Sequence, residues 1–338
     1  MKRPPLAVTL GDPAGIGPEL TLRAWTALKD RRHDFIAYAD LDQLREIADR
    51  LHLPAPRACE PEQAGEIFSQ ALPVRPVPLP EPARPGHPAP ANAAAVIASI
   101  EACVRDTLAG RTGGVVTNPI SKAVLYEQGF RFPGHTEFVA HLTAHAAWDG
   151  PRGPMMMLAA PELKTVLVTI HLGLRGALDA LSTEAILHTA RVTLAALRTD
   201  FGLASPRLAI AGLNPHAGEG GALGREEIEM VAPAVETLRA EGHDVAGPMP
   251  PDTMFHAEAR ARYDAAVCLY HDQGLIPVKT LNFHGGVNTT LGLPIIRTSP
   301  DHGTAFDIAG RGLARADSLI AAIRLASTMA ENRQSALT

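Results

Sequence analysis

Three histidines in this chain of 338 residues follow apolar, strand-like runs: His171 in VLVTIHLG, His216 in LAIAGLNPHAGEGG and His271 in AAVCLYHDQG. Neutral imidazole is the commonest metal ligand near pH 7. Three protein ligands with one open position are the arrangement of a catalytic metal. The rings are 45 and 55 residues apart, which excludes a local zinc motif. On the residues alone two readings stay open: convergence on one cation, or three separate loop histidines bonded to backbone. Asp272 and Glu219 stand beside two of the rings and are candidates to orient them.

A second group suits an anion. In FPGHTEF, residues Gly134, His135 and Thr136 directly precede a helical stretch. Backbone N–H groups at a helix start attract anions. Lys279, Asn288 and Arg297 follow on a Gly-rich, apolar segment. Taken together they suit a phosphate and a carboxylate on one small molecule. His33, His52, His87, His188 and His243 fall in helices or solvated turns and read as structural. GDPAGIGPEL offers Gly15 and Gly17 but has Leu20 where the third glycine of GxGxxG belongs, so it is no dinucleotide fingerprint. Neither GxxxxGK[ST] nor GxSxG occurs, which disfavours a P-loop kinase and the commonest serine hydrolases.

These side chains need a frame, and the apolar pattern predicts one. Leu6–Leu10 reads as a strand ending at Gly11, and Pro18 opens a helix to about Lys29. Phe35–Ala39 is a second strand, after which Asp40 caps a helix to about Leu51. Alternation of this kind predicts an α/β fold. Eight prolines between residues 73 and 90 predict neither helix nor central strand there, but an extended surface excursion. Ala91–Ala109 reads as a helix, and Gly114–Thr117 as a buried strand running into Asn118 and Pro119. Further strands are expected at Val166–Thr169, Leu208–Ala211, Ala265–Leu269 and Ile295–Ile296, and helices at Thr183–Phe201, Arg225–Ala240 and Ala316–Ala330. The loops rich in His, Asn, Asp and Gly all follow strands, and open α/β sheets bind ligands at the carboxyl ends of strands.

Composition narrows the class. With 46% hydrophobic and 20% charged residues the chain can build a core, so disorder is excluded. Net charge is −5 without a basic block, and aromatics are only 4%, so no nucleic-acid surface is expected. Apolar runs are too short for a membrane span. Cys59, Cys103 and Cys268 form no CxxC pair, and no secretory leader is visible. Reduced, buried thiols in a cytoplasmic protein are the expectation.

Six separated motifs carry a resemblance. GDPAGIGPEL (11–20), TNPISK (117–122), GHTEF (134–138), NPHAGEGG (214–221), YHDQGLIPVK (270–279) and GVNTTLGLPIIRTSPDHGTAFDIAG (286–310) occur in order along the chain. They resemble the 4-hydroxythreonine-4-phosphate dehydrogenase family of vitamin B6 biosynthesis over nearly the whole length. More distantly, DHGTAFDIAGRG (301–312) is similar to the HGSAPDIAGKG-type loop of isopropylmalate and isocitrate dehydrogenases, which wraps the adenosine of NAD(P).

The resemblance implies two α/β/α lobes around a cleft, isopropylmalate-dehydrogenase-like. Residues 1–130 with 300–338 would form a discontinuous first lobe, and 131–299 the second, carrying most metal and substrate residues. It implies a homodimer whose active site is shared between subunits. His171, His216 and His271 would hold a divalent metal (zinc, magnesium, manganese or cobalt). His135, Thr136, Lys279, Asn288 and Arg297 would bind substrate. Gly303, Thr304 and Asp307 would approach NAD or NADP. The reaction implied is oxidation of 4-phosphooxy-L-threonine at C3, followed by decarboxylation of the β-keto acid to 3-amino-2-oxopropyl phosphate. Lys279 and Asp272 are the candidates to take the hydroxyl proton. Three alternatives stay open: a dehydrogenase of another phosphorylated hydroxy acid or diol, a metal-dependent hydrolase, and a phosphate-ligand binding protein without turnover.

Overall fold

The structure is a computed structural model that describes residues 3–31 and 33–336. Twelve strands are described: β1 (Leu6–Thr9), β2 (Phe35–Ala39), β3 (Arg57–Ala58), β4 (Pro73–Pro76), β5 (Val115–Val116), β6 (Met155–Ala159), β7 (Lys164–Leu167), β8 (Arg207–Ala211), β9 (Asp244–Met249), β10 (Ala265–Cys268), β11 (Val287–Leu291) and β12 (Arg297–Pro300). Contacts divide the chain into two compact units. One runs to Ala147 and adds Leu293–Ala330, and the other comprises Trp148–Gly292 and the residues from Glu331. The divisions thus fall at 147/148 and 292/293 rather than at the expected 130/131 and 299/300. Arg297 belongs to the first unit as a result.

In the first unit the strand order is β3-β4-β2-β1-β5-β12, and every pairing is parallel. The inner strands β1, β2 and β5 are buried along their whole length, as a parallel sheet covered on both faces requires. Helix Gly17–Leu28 carries Pro18 in its first turn, where the missing N–H costs nothing. Helix Leu41–Arg50 is capped by Asp40, whose carboxylate accepts the Gln43 N–H at 2.7 Å. Trp25 is fully buried and donates its indole N–H to the Phe68 carbonyl at 2.7 Å.

Two expectations need correction here. The proline stretch contains β4, which lies between β3 and β2 rather than on the surface. Its prolines occupy the first and last positions, and Val74 is the buried residue that registers with both Ala37 and Ala58. Ile295–Ile296 is not a strand. The strand begins at Arg297, although the Ile296 carbonyl already accepts the Val115 N–H at 2.9 Å.

The second unit has the order β11-β6-β7-β10-β8-β9. Strands β7, β10, β8 and β9 are mutually parallel, while β6 runs antiparallel to both β7 and β11. The pattern did not predict β6, β9 or β11. Its core packs Leu158, Leu167, Ala266, Cys268 and Val278. Helix Thr183–Thr199 is capped by Ser182, and Arg333 closes an ion pair with buried Asp200 at 2.8 Å. Among the described residues, no helix is long and apolar enough to cross a membrane.

Candidate functional site

In the second unit, β7, β10 and β8 are adjacent and parallel, so the loops that carry His171, His271 and His216 leave the sheet in one direction. Two hydrogen-bonded staples hold these exits together. Thr169 Oγ1 donates to the Leu269 carbonyl at 2.8 Å, tying the β7 exit to that of β10. Buried Gln273 accepts the Leu269 N–H at 2.7 Å and donates to the Gly212 carbonyl at 2.8 Å, tying β10 to β8. Neither Thr169 nor Gln273 was singled out from the sequence, where a neutral polar residue carries no signal of burial.

His171 and His271 come together, with ring centroids 6.0 Å apart and planes at 40°. His271 is the first residue of helix His271–Leu281, so it stands on a helix start, not on a loop as expected. Its Nδ1 lies 2.8 Å from Asp272 Oδ1, which leaves Nε2 for a ligand. Asp272 therefore orients His271, and this engagement weakens its candidacy as proton acceptor. Lys279 sits half-buried on the same helix. Gly274 packs closely on β7 there, where a Cβ would lie 2.5 Å from Leu167 Cδ2 and push that side chain aside.

Among the described residues of one chain, no three His, Cys, Asp or Glu side chains form a metal-holding group. His216, Ala217, Gly218, Glu219 and Gly220 all adopt left-handed backbone conformations, with φ between 46° and 82°. His171 is left-handed too, at φ 51°. Non-glycine residues rarely adopt this conformation, and when they do they cluster at functional sites. Glu227 is buried against the loop. Burial alone would raise its pKa, but hydrogen bonds from Asn214 and the Leu213 N–H outweigh that and hold it below the usual carboxylate range.

In the first unit Arg297 opens β12, in parallel register with Val115 of β5. Arg297 is 3% exposed, and its Nη2 donates to Thr117 Oγ1 at 2.7 Å. Burial pulls its pKa down to about 10, opposed by nearby Glu137. His135 and Thr136 open helix His135–Leu142, for which Gly134 is the N-cap. His135 Nε2 is buried and has no hydrogen-bond partner. Burial holds this imidazole well below its usual pKa, and the charges of Arg297 and Lys122 add to that. A neutral ring with a buried, partnerless nitrogen near a buried guanidinium has the chemistry to hydrogen-bond an anion. The rings of Phe130, Phe132 and Phe138, 5.1 to 5.5 Å apart, support the helix from below.

Lys122 was missed. It ends the TNPISK motif, and its Nζ lies 3.6 Å from where a Cβ on Gly134 would be. Asn118, in the same motif, donates its side-chain amide to the Thr9 carbonyl at 2.9 Å and to Thr21 Oγ1 at 3.0 Å. Gly11, at φ 70°, packs where a Cβ would sit 2.6 Å from Asn118 Cβ. The two motifs therefore interlock as one surface.

Asn288 lies on β11 opposite Leu158, and its Oδ1 is buried without a partner. Of the three expected cofactor residues, Thr304 is built against the first loop. Its carbonyl accepts the Ile16 N–H at 3.0 Å, and a Cβ on Gly15 would lie 2.8 Å from it. Gly303 and Asp307 are exposed on the same loop. A cavity of about 360 Å³ adjoins, lined in part by Gly15, Glu19, Gln43, Pro85 and Gly310. The proline segment closes its rim, with the Gly86 N–H donating to the Ala14 carbonyl at 2.8 Å. Cys268 is fully buried and burial pushes its thiol up, so it is an inert core residue.

The fold is mixed α/β in two units, one bearing buried Arg297 and the other the His171–His271 ring pair. The profile described as pyridoxal phosphate biosynthetic protein PdxA matches residues 31–326. The chain belongs to this family. The 4-hydroxythreonine-4-phosphate dehydrogenase of Caulobacter vibrioides is 57% identical over 97% of this chain and 98% of its own length. The crystal structure of 4-hydroxythreonine-4-phosphate dehydrogenase from Klebsiella pneumoniae superposes with TM-score 0.85 at 38% identity, covering 97% of this chain and 99% of that one. A terephthalate 1,2-cis-dihydrodiol dehydrogenase from Burkholderia xenovorans is similar at 30% identity and TM-score 0.67, covering 96% of this chain and 98% of that one.

Proposed function

We propose that the chain oxidises 4-phosphooxy-L-threonine at C3 with NAD or NADP, giving a β-keto acid that loses CO2 to form 3-amino-2-oxopropyl phosphate for pyridoxal 5′-phosphate biosynthesis. The observation that carries this is the pocket of Arg297, His135 and Lys122. A phosphate would bring nearly two negative charges to buried Arg297, fixed on Thr117, and to the partnerless Nε2 of His135, with the exposed ammonium of Lys122 nearby. Binding remote from C3 supplies orientation rather than chemistry. The same pocket favours a phosphorylated substrate over the diol named for the Burkholderia xenovorans relative.

His171 and His271 would hold a divalent metal through ring nitrogens, with His216 as third ligand. The ring separation and the Asp272 contact to Nδ1 fit that role. When bound, such a cation lowers the pKa of an alcohol hydroxyl and stabilises negative charge developing on oxygen. Lys279 is the remaining candidate to accept the hydroxyl proton. The nicotinamide, when bound, would supply the hydride acceptor for C3, and the resulting C3 ketone would take up the electron pair of the breaking C–CO2 bond. Thr304, with Gly303 and Asp307, would meet the dinucleotide beside Gly15.

A homodimer with a shared site accounts for two further features. His171, His216 and His271 do not make up a metal-holding group among the described residues of one chain. Large exposed apolar side chains follow each of the three histidines: Leu172 and Leu174, Leu223 and Ile228, Ile276 and Phe283. Patches of this kind mark contact surfaces. The three free cysteines fit a cytoplasmic location.

The test is a spectrophotometric assay with 4-phosphooxy-L-threonine, NAD(P) and divalent metal. Absorbance at 340 nm should rise as hydride moves. A flat trace with release of inorganic phosphate would point to a metal hydrolase instead. Faster turnover of a dihydrodiol dicarboxylate would move the substrate assignment within the family.

A further inference from the structure

The loop that presents His216 is held in an unfavourable shape by one buried carboxylate. Glu227 is 2% exposed. Its Oε1 accepts the Leu213 N–H at 2.7 Å and the Asn214 N–H at 2.6 Å, and its Oε2 accepts the Asn214 side-chain amide at 2.9 Å. Oε2 also lies close to the left-handed stretch itself, since a Cβ on Gly218 would lie 2.7 Å from it. Asn214 is held from its other side by Glu226 Oε2 at 2.7 Å. Glu227 begins a π-helical turn, Glu227–Val231, the only one among the described residues. Such widened turns are rare and recur at functional sites. Left-handed backbone at His216, Ala217 and Glu219 persists only where its surroundings over-determine it.

We propose that Glu227 is a positioning residue: its carboxylate clamps the Leu213–Gly218 turn and so fixes where His216 is presented. This rests on the reading of His216 as a metal ligand. The clamp needs two acceptor oxygens. Glutamine at this position keeps the volume but replaces one oxygen with a donor facing an N–H or the Asn214 amide.

Two measurements on the full-length protein test it. Amide exchange over residues 213–222 should speed up roughly tenfold in Glu227→Gln, with the core strands β7 and β10 unchanged. Binding of Co2+, followed by its visible absorption, should weaken by about 10- to 100-fold, as expected for loss of a group that orients a ligand. In the His216→Ala background the same substitution should add nothing to the Co2+ loss, because Glu227 acts through that ring. Asn214→Ala, which removes the side-chain amide that Oε2 accepts without altering the carboxylate or a left-handed residue, should reproduce the local exchange change and covers the case in which Glu227→Gln does not fold. Unchanged exchange in the turn in either folded variant overturns the proposal, as do fully additive Co2+ losses. If His216→Ala keeps wild-type Co2+ affinity, the ligand reading fails instead, while the exchange data still judge the clamp.

Discussion

Arg297 and Thr117 are joined by a hydrogen bond of 2.7 Å between Nη2 and Oγ1, although they lie 180 residues apart in the chain. Parallel register makes this contact. Arg297 on β12 stands opposite Val115 and Thr298 opposite Val116, so Thr117 emerges beside the guanidinium. This buried, fixed cation at the start of β12 is the centre of the proposed anion site. Arg297→Ala should remove about 2–5 kcal/mol of binding to the phosphorylated substrate, roughly 30-fold or more in kcat/KM. The unphosphorylated analogue should lose far less. Equal losses for the two substrates would take Arg297 out of the phosphate site.

His135 gives a pH dependence of known sign. Its folded pKa is depressed by burial and by the neighbouring cations, so the folded protein resists a proton that the unfolded chain accepts below about 6.5. Stability is therefore complete above that value and falls as pH drops towards the folded pKa, by up to about 1.4 kcal/mol per pH unit. In urea melts from pH 7.5 to 5, His135→Asn should flatten part of this slope. An identical slope in the variant would show that other groups set it.

Asp272 should matter through His271. The Nδ1–Oδ1 contact of 2.8 Å fixes the ring and its tautomer. Asp272→Asn should weaken divalent-metal binding by roughly 10- to 100-fold while leaving the melting temperature nearly unchanged, since the carboxylate is exposed. Metal titration by calorimetry reads this directly. Wild-type affinity in the variant would reduce the pair to a surface contact.

Gly15 tests the dinucleotide loop. An added Cβ would lie 2.8 Å from the Thr304 carbonyl, and one of the two loops must move. Overpacking of this kind costs about 1–3 kcal/mol. Gly15→Ala should raise KM for NAD(P) while KM for the phosphorylated substrate stays near its original value. A change confined to the second substrate would place the dinucleotide elsewhere.

Local signals in the sequence determined a large part of this protein. Pro18 and Asp40 opened their helices where expected, β2 spans the residues that the apolar run predicted, and the six motifs identified the family. Each of these rests on the chemistry of neighbouring residues, which a linear reading can see. Tertiary structure decided what depends on register and on distant partners. It drew the Pro73–Pro76 segment inside a sheet, because Val74 could pair on both sides while the prolines took the strand ends. It placed Lys122 near Gly134, brought His171 to His271 and set His216 on a left-handed turn beside Glu227. No periodicity encodes such meetings, because each is set by strand order and by hydrogen bonds that close only once the sheet has formed.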